Sequence, residues 1–289
     1  LRELYERTAE VLETGRPDEA AAFATIEARV EKRREAARGE LRALGIAEAR
    51  IDGYFDEMPR RYFVSHTPRQ IARHAKVLLA LSGDKKMVVA VREMRGGFSE
   101  LIVCARDVHG LYWRIAGTLT ARGINILSSN VYTTRAGLAL EVYRVATPPG
   151  DADDRARTWA GFEESLGRVL DGEVRVEDLI RRRRRPVGMP ETPSRMPPSV
   201  AVSNDESEFY TIVDVSANDR LGLLYDLTRT LAEQELEIYI SKATTVLDQV
   251  ADTFYVKTQD GRKLVDPERV EALRRALLAA AQLEAADHG

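Results

Sequence analysis

The sequence predicts an α+β chain: a helical region at the front, then two copies of a ferredoxin-like βαββαβ sandwich, each one antiparallel sheet carrying two helices. Three observations carry that prediction. The apolar residues follow a helical rhythm up to about Leu81 and alternate from Met87 onward. Two stretches of the chain match each other at a fixed offset of 112 residues. Between them, a run of arginines followed by prolines interrupts all regular patterning.

The front region, residues 1–83, is rich in Ala, Glu, Arg and Leu, with turn signals at Gly15-Arg16-Pro17, Gly45 and Pro59. Within it, His66-Thr67-Pro68-Arg69-Gln70 reads as a helix start. Thr67 is the cap, Pro68 takes the first helical position and Gln70 completes a capping box. The helix that follows places Ile71, His74, Val77 and Leu78 on one face.

The first sandwich is expected over residues 84–180. It opens with a β-hairpin, Met87 to Val91 and Phe98 to Val103, about the turn Arg95-Gly96-Gly97. The repeat then begins. Val103 to Tyr112 lines up with Val215 to Leu224, which pairs Asp107 with Asp219 and Gly110 with Gly222. The match continues through Thr118-Leu119 against Thr230-Leu231 and Ile124-Asn125-Ile126 against Leu236-Glu237-Ile238, and reaches Thr133 against Thr245. A slip of one residue then aligns Glu141-Val142-Tyr143 with Asp252-Thr253-Phe254. Two copies at one offset mean a duplicated module, not a solenoid.

In each copy a strand reaches an Asp-x-x-Gly-Leu turn and enters an amphipathic helix, with Leu111, Ile115 and Leu119 or Leu223, Leu227 and Leu231 at i, i+4, i+8. Two strands and a second helix follow, Asp153 to Leu170 in the first copy and Pro267 to Ala281 in the second. Val174 to Val176 is expected to supply the last strand of the first copy. The second copy, residues 199–289, has no room for one at its end, so Val200 to Ser203 is expected to fill that sheet position from the front. Residues 181–198, with Arg181 to Arg185 and then Pro186, Pro190, Pro193, Pro197 and Pro198, are expected to be a linker.

Composition bounds the rest. The 289 residues carry 46 acidic and 43 basic side chains, a net charge of -3, and no apolar run approaches the ~20 residues of a membrane span. The single cysteine, Cys104, excludes an internal disulfide and any zinc site built on paired cysteines, and it fits a reducing cytoplasm. The chain opens on Leu1 without a basic-then-apolar leader, which predicts no signal peptide and an excised portion of something longer.

The two Asp-x-x-Gly-Leu turns are the candidate sites. Each puts backbone N–H groups at a helix start, where the positive end of the helix dipole favours a carboxylate, and glycine permits close approach. The candidate residues are Asp107, His109, Gly110 and Leu111 at the first turn and Asp219, Leu221, Gly222 and Leu223 at the second. The second-strand starts, Asn125, Ile126 and Leu127, and Glu237, Ile238 and Tyr239, are positioned to close a pocket with backbone groups. Two readings stand side by side: each aspartate accepts a ligand ammonium, or each caps its own helix.

At these turns the sequence resembles a tandem pair of ACT domains, small-molecule-sensing modules of this topology. More narrowly, it is similar to the C-terminal part of the bifunctional uridylyltransferase/uridylyl-removing enzymes that modify the nitrogen-regulatory PII protein. The residues behind this are Met58 to Phe63, His66 to Pro68, Ile71 to Ala75, Arg114 to Gly117, Asn125 to Leu127, Tyr132 to Thr134, Asp219 to Asp226 and Asp252 to Val256. Leu221 stands where the family usually has proline, and Glu141 where it usually has aspartate. The resemblance implies a regulatory portion that senses glutamine, with PII as partner of the full-length enzyme and magnesium serving catalytic domains outside this chain. No Gly-Ser nucleotidyltransferase motif with paired aspartates is present, nor an adjacent His-Asp pair, so the chain itself is expected not to catalyse.

Other candidates weigh less. His66 and His74 lie eight residues apart with no carboxylate between them, which favours structural roles over metal binding. The arginine run has no interleaved aromatic for base stacking, and Leu140-Glu141-Val142-Tyr143 lacks the aromatic pattern of an RNA-recognition strand, so nucleic acid is an improbable partner. A free-standing amino-acid-binding regulator is the rival from another class. Within the chain the two copies are expected to pack together, because each small sandwich leaves an open edge strand.

Overall fold

The computed structural model describes residues 19–81, 85–182, 197–218, 220–246 and 249–282. The chain divides into two units, residues 1–79 and 80–289.

The first unit is helical: α1 (Glu19–Ala43), α2 (Glu48–Glu57), α3 (Arg60–Ser65) and α4 (Pro68–Leu79). Gly45, at φ 75, turns the chain from α1 into α2. Pro59 forces Met58 into extended backbone and so ends α2. The expected capping box is present, with the Thr67 amide donating to Gln70 Oε1 at 3.0 Å and the Gln70 amide reaching Thr67 Oγ1 at 3.4 Å. Helices α3 and α4 pack on α1 over a core that includes Leu41, Tyr62, Phe63 and Ile71. The buried face of α4 carries the expected Ile71, His74, Val77 and Leu78.

The second unit holds two four-stranded antiparallel sheets. The first comprises β1 (Met87–Met94), β2 (Phe98–Arg106), β3 (Ile126–Thr133) and β4 (Leu138–Ala146), in the order β1-β2-β4-β3. The second comprises β5 (Ser199–Ser203), β6 (Thr211–Asn218), β7 (Leu236–Val246) and β8 (Gln249–Thr258), in the order β5-β6-β8-β7. Helix α5 (Leu111–Ala121) connects β2 to β3, and α6 (Ala152–Leu170) follows β4; α8 (Leu223–Glu233) and α9 (Pro267–Gln282) hold the same places in the second copy. These are two ferredoxin-like sheets after a helical region, the architecture expected from the repeat.

One strand comes from a different place. Val174 to Val176 does not join the first sheet; Val176 instead opens a short helix, α7 (Val176–Arg182), and is buried. The edge position beside β2 is already taken by β1, which the Gly96-Gly97 turn folds back in full antiparallel register, Met87 opposite Ala105 to Met94 opposite Phe98. With that ladder satisfied, no sheet position remains. The second copy uses the same device, β5 pairing with β6 as expected for Val200 to Ser203. Arg181 and Arg182, expected in the linker, belong to α7, and residues 183–196 lie outside the described residues.

The two sandwiches share one apolar core, to which Leu101, Val103, Ile115 and Leu119 contribute from the first copy and Val213, Val215, Leu227 and Leu231 from the second. Edge strand β3 lies alongside edge strand β7, and α5 packs on α8. Gly117 makes that helix contact possible: a Cβ there would meet Tyr225 Cδ2 at 2.7 Å and run into Val176. Glu177 of α7 accepts from Tyr225 at 3.5 Å and pairs with Arg229 at 3.4 Å, tying α7 to α8.

Candidate effector-binding clefts

Each Asp-x-x-Gly-Leu turn ends in a glycine with left-handed backbone, Gly110 at φ 77 and Gly222 at φ 88, which directs the chain into α5 or α8. Neither helix start carries a side-chain cap. The Leu111 and Leu223 amides donate to the Val108 and Arg220 carbonyls at 3.0 and 3.2 Å, and the remaining first-turn N–H groups, which lack intrahelical acceptors, favour negative charge at both starts. Asp107 does not cap α5; its Oδ2 accepts from Thr133 Oγ1 at 2.6 Å. That leaves its other oxygen for a ligand ammonium. Asp219 lies outside the described residues.

The strand starts close these turns crosswise. Glu237, Ile238 and Tyr239 of the second copy line a cavity with Asp107, His109, Gly110 and Leu111 of the first. Reciprocally, Asn125 and Ile126 of the first copy line a cavity with Leu221, Gly222 and Leu223 of the second. Leu127 and Tyr239 mark the same irregularity in both copies, a bulge where the β3 register skips between Ile126 and Ser128 and the β7 register between Ile238 and Ile240.

The two clefts differ in room. The first encloses about 310 Å³, within the range of small-molecule sites, while the second encloses about 20 Å³, little more than one water. The chemical difference is Arg220, which occupies the repeat position of Val108. Arg220 lines the second cleft, and its guanidinium pairs with Asp226 at 2.6 Å and donates to the Ala280 carbonyl at 2.9 Å, which anchors the side chain to α8 and α9 at the cleft wall. Val108 is short and 44% exposed.

Electrostatics also set the first cleft apart. Burial pushes the Glu141 carboxyl up to about 8, assisted by Asp107 and opposed by the hydrogen bond from Tyr143. Glu237 is raised by burial and by Asp107, against His109. Lysine and arginine are absent from the described lining, and Trp113 lies over Gly110, where an added Cβ would run into its indole. Thr133, Glu141, Trp113 and Arg220 were not among the candidate residues. The repeat does align Thr133 with Thr245 and Glu141 with Asp252, and their inward alternation along the strands was the available signal.

The histidines of the helical unit form no such site. Tyr54 donates to Tyr62 at 2.6 Å, and the Tyr62 hydroxyl meets His74 Nδ1 at 3.0 Å. His66 and His74 are buried with ring centres 4.7 Å apart. Cys104 is buried and its thiol is shifted up by burial. No described helix is long and apolar enough to cross a membrane.

Comparison with known proteins agrees with this layout. Residues 25–77 match the model of the fifth domain of uridylyltransferase GlnD, 99–158 the ACT domain and 199–283 an ACR9-like, ACT-like domain. The chain is 31% identical over 288 residues to the bifunctional uridylyltransferase/uridylyl-removing enzyme of Rhodospirillum rubrum, covering 97% of this chain and 29% of that enzyme. It is 32% identical over 286 residues to the enzyme of the same name from Phenylobacterium zucineum, again 97% of this chain and 29% of the relative. Among solved structures, aspartate kinase from Synechocystis aligns with 64% of this chain and 27% of its own, at 16% identity and a TM-score of 0.34, too distant to add to the argument. By its sequence and its domain order, the chain belongs to the C-terminal regulatory part of the bifunctional uridylyltransferase/uridylyl-removing enzyme family, a helical domain followed by two ACT domains.

Proposed function

We propose that this chain is a glutamine sensor that controls the catalytic half of an enzyme uridylylating and deuridylylating the PII protein, and so reports nitrogen status. One observation carries the reading: the cavity of about 310 Å³ between the two ACT domains, with an uncapped helix start on one wall and Asp107 beside it. A free amino acid matches both ends of that arrangement, its carboxylate at the start of α5 and its ammonium at Asp107. Because the lining comes from both domains, a bound ligand favours one mutual arrangement of them, which is the requirement for biasing a distant active site. A coupling of about 1–3 kcal/mol gives roughly a 5- to 150-fold bias.

The second cleft has room for little more than one water, so one ligand per chain is expected. Calorimetric titration of the chain with glutamine, glutamate and asparagine tests ligand identity and stoichiometry together. Saturable heat with glutamine at one site per chain supports the reading. Absence of heat and of any thermal shift at millimolar glutamine defeats it.

A further inference from the structure

We propose that Glu141 selects the ligand of the first cleft, admitting amino acids whose side chain ends in a hydrogen-bond donor such as an amide and, once ionised, excluding those that end in a carboxylate. The inference rests on reading that cleft as an amino-acid site and assigns the residue that reads the ligand's side chain.

Glu141 is only 2% exposed, yet it lines the cavity. Its Oε2 accepts from the Tyr143 hydroxyl, and among the described residues its Oε1 accepts nothing. A buried carboxyl oxygen without a partner is costly unless something else supplies the hydrogen bond. The remaining cavity chemistry narrows what that can be. Asp107 and the start of α5 meet the two charges common to every amino acid, which leaves the side-chain end to Glu141 and Glu237.

A ligand carboxylate there meets acidic groups and no lysine or arginine among the described lining residues. An amide is different, because it carries both N–H donors and a carbonyl acceptor. It satisfies Glu141 whether that group is ionised or protonated, whereas a ligand carboxylate is accepted only by the protonated form. Held up to about 8 by burial and by Asp107, Glu141 changes form in mildly alkaline solution. The ionisable groups around it are Tyr143 on β4, Tyr112 on α5, Cys104 on β2, Asp107 and His109 at the turn, and Glu237 on β7. Burial holds the two tyrosines and the thiol neutral throughout that range, which leaves the carboxyls and His109, and the Glu141→Gln variant separates the Glu141 step from the others.

The test is calorimetric titration of the whole chain with glutamine and with glutamate at pH of about 6.5, 7.5 and 8.5, repeated on Glu141→Gln. Glutamine affinity should vary by less than about 2-fold, while glutamate should weaken by roughly 4-fold between pH of about 6.5 and 8.5, as expected when only the protonated carboxyl accepts it. Glu141→Gln should remove that pH step and narrow the preference for glutamine by roughly 10-fold. Undetectable glutamate binding at all three pH values overturns the proposal, because the protonated carboxyl at pH of about 6.5 should admit glutamate. A flat glutamate profile in the unaltered chain also overturns it, and needs no variant to fold. Glutamine binding accompanied by equally tight glutamate binding at every pH removes this inference and leaves the amino-acid site. Absence of heat with either amino acid removes the site itself, and the inference with it.

Discussion

Arg220, which lines the second ACT cleft, forms a largely buried ion pair at 2.6 Å with Asp226, at the positions that Val108 and Arg114 hold in the first copy. A duplicated module has thereby become two unequal sites. The prediction is a gain of function. Replacing the pair by its first-copy counterparts, Arg220→Val with Asp226→Arg, should vacate the second cleft and raise glutamine stoichiometry from one to two per chain. Arg220→Val alone leaves Asp226 buried beside a lost partner, which costs up to about 3–5 kcal/mol and clouds the result. Calorimetry of the double variant with a thermal melt decides. An unchanged stoichiometry in folded protein means that Arg220 does not keep the second cleft closed.

The glycines of the two turns should separate in the same way. Gly110→Val forces a branched side chain into left-handed backbone and against the Trp113 indole, costing about 1–3 kcal/mol and abolishing binding at the first cleft. Gly222→Val carries a similar conformational cost, and its Cβ would lie 3.3 Å from Thr120 Cγ2. Yet it should leave glutamine affinity within about 2-fold, because that cleft has room for little more than one water. Loss of glutamine binding in both variants at full foldedness would contradict a single working site.

What the sequence made legible was the local chemistry. The offset of 112 residues found the two turns, and alternation found the strands around them. Three features lay beyond local patterns. The crosswise closure depends on β3 meeting β7 and α5 meeting α8, long-range packing that a single copy does not encode. The fate of Val174 to Val176 was decided by competition, since β1 reaches the same edge through a two-glycine turn with far less loop to close. Closure by Arg220 could be read only once Asp226 and the Ala280 carbonyl were known to lie within reach of its guanidinium.

Gly117 offers a test of that long-range packing. A Cβ at this position meets Tyr225 at 2.7 Å and Val176, both on the helices that cover α5. Gly117→Val should overpack the contact and destabilise the second unit by about 1–3 kcal/mol. If the crossing holds the two ACT domains together, the variant should also weaken glutamine binding without touching the cleft lining. NMR relaxation should show the two ACT domains tumbling as one body in the unaltered chain and more loosely coupled in the variant. Independent tumbling in the unaltered chain would refute the shared core.

The last prediction concerns acid stability of the helical unit. Burial holds His66 down to about 4, with Arg33 and Arg73 adding to it, and holds His74 well below its ordinary range, with His66 and Arg73 adding. In the unfolded chain both take up a proton near pH 6.5, so the unfolded state binds more protons below that value. The stabilisation is therefore fully present above about pH 6.5 and is lost as pH falls toward 4. The slope is up to about 1.4 kcal/mol per pH unit for each histidine. The Tyr62 hydroxyl lies 3.0 Å from His74 Nδ1, the nitrogen that must act as acceptor where that hydroxyl donates. Amide hydrogen exchange of α4 in the whole chain, followed from pH 7 to 4.5 with correction for the intrinsic exchange rate, should show protection falling over that window. His74→Leu should reduce the dependence by roughly half, since leucine fills the space without a titrating group while His66 still titrates. Protection of α4 that is insensitive to pH between 6.5 and 4.5 would show that the two histidines are not held neutral by the fold.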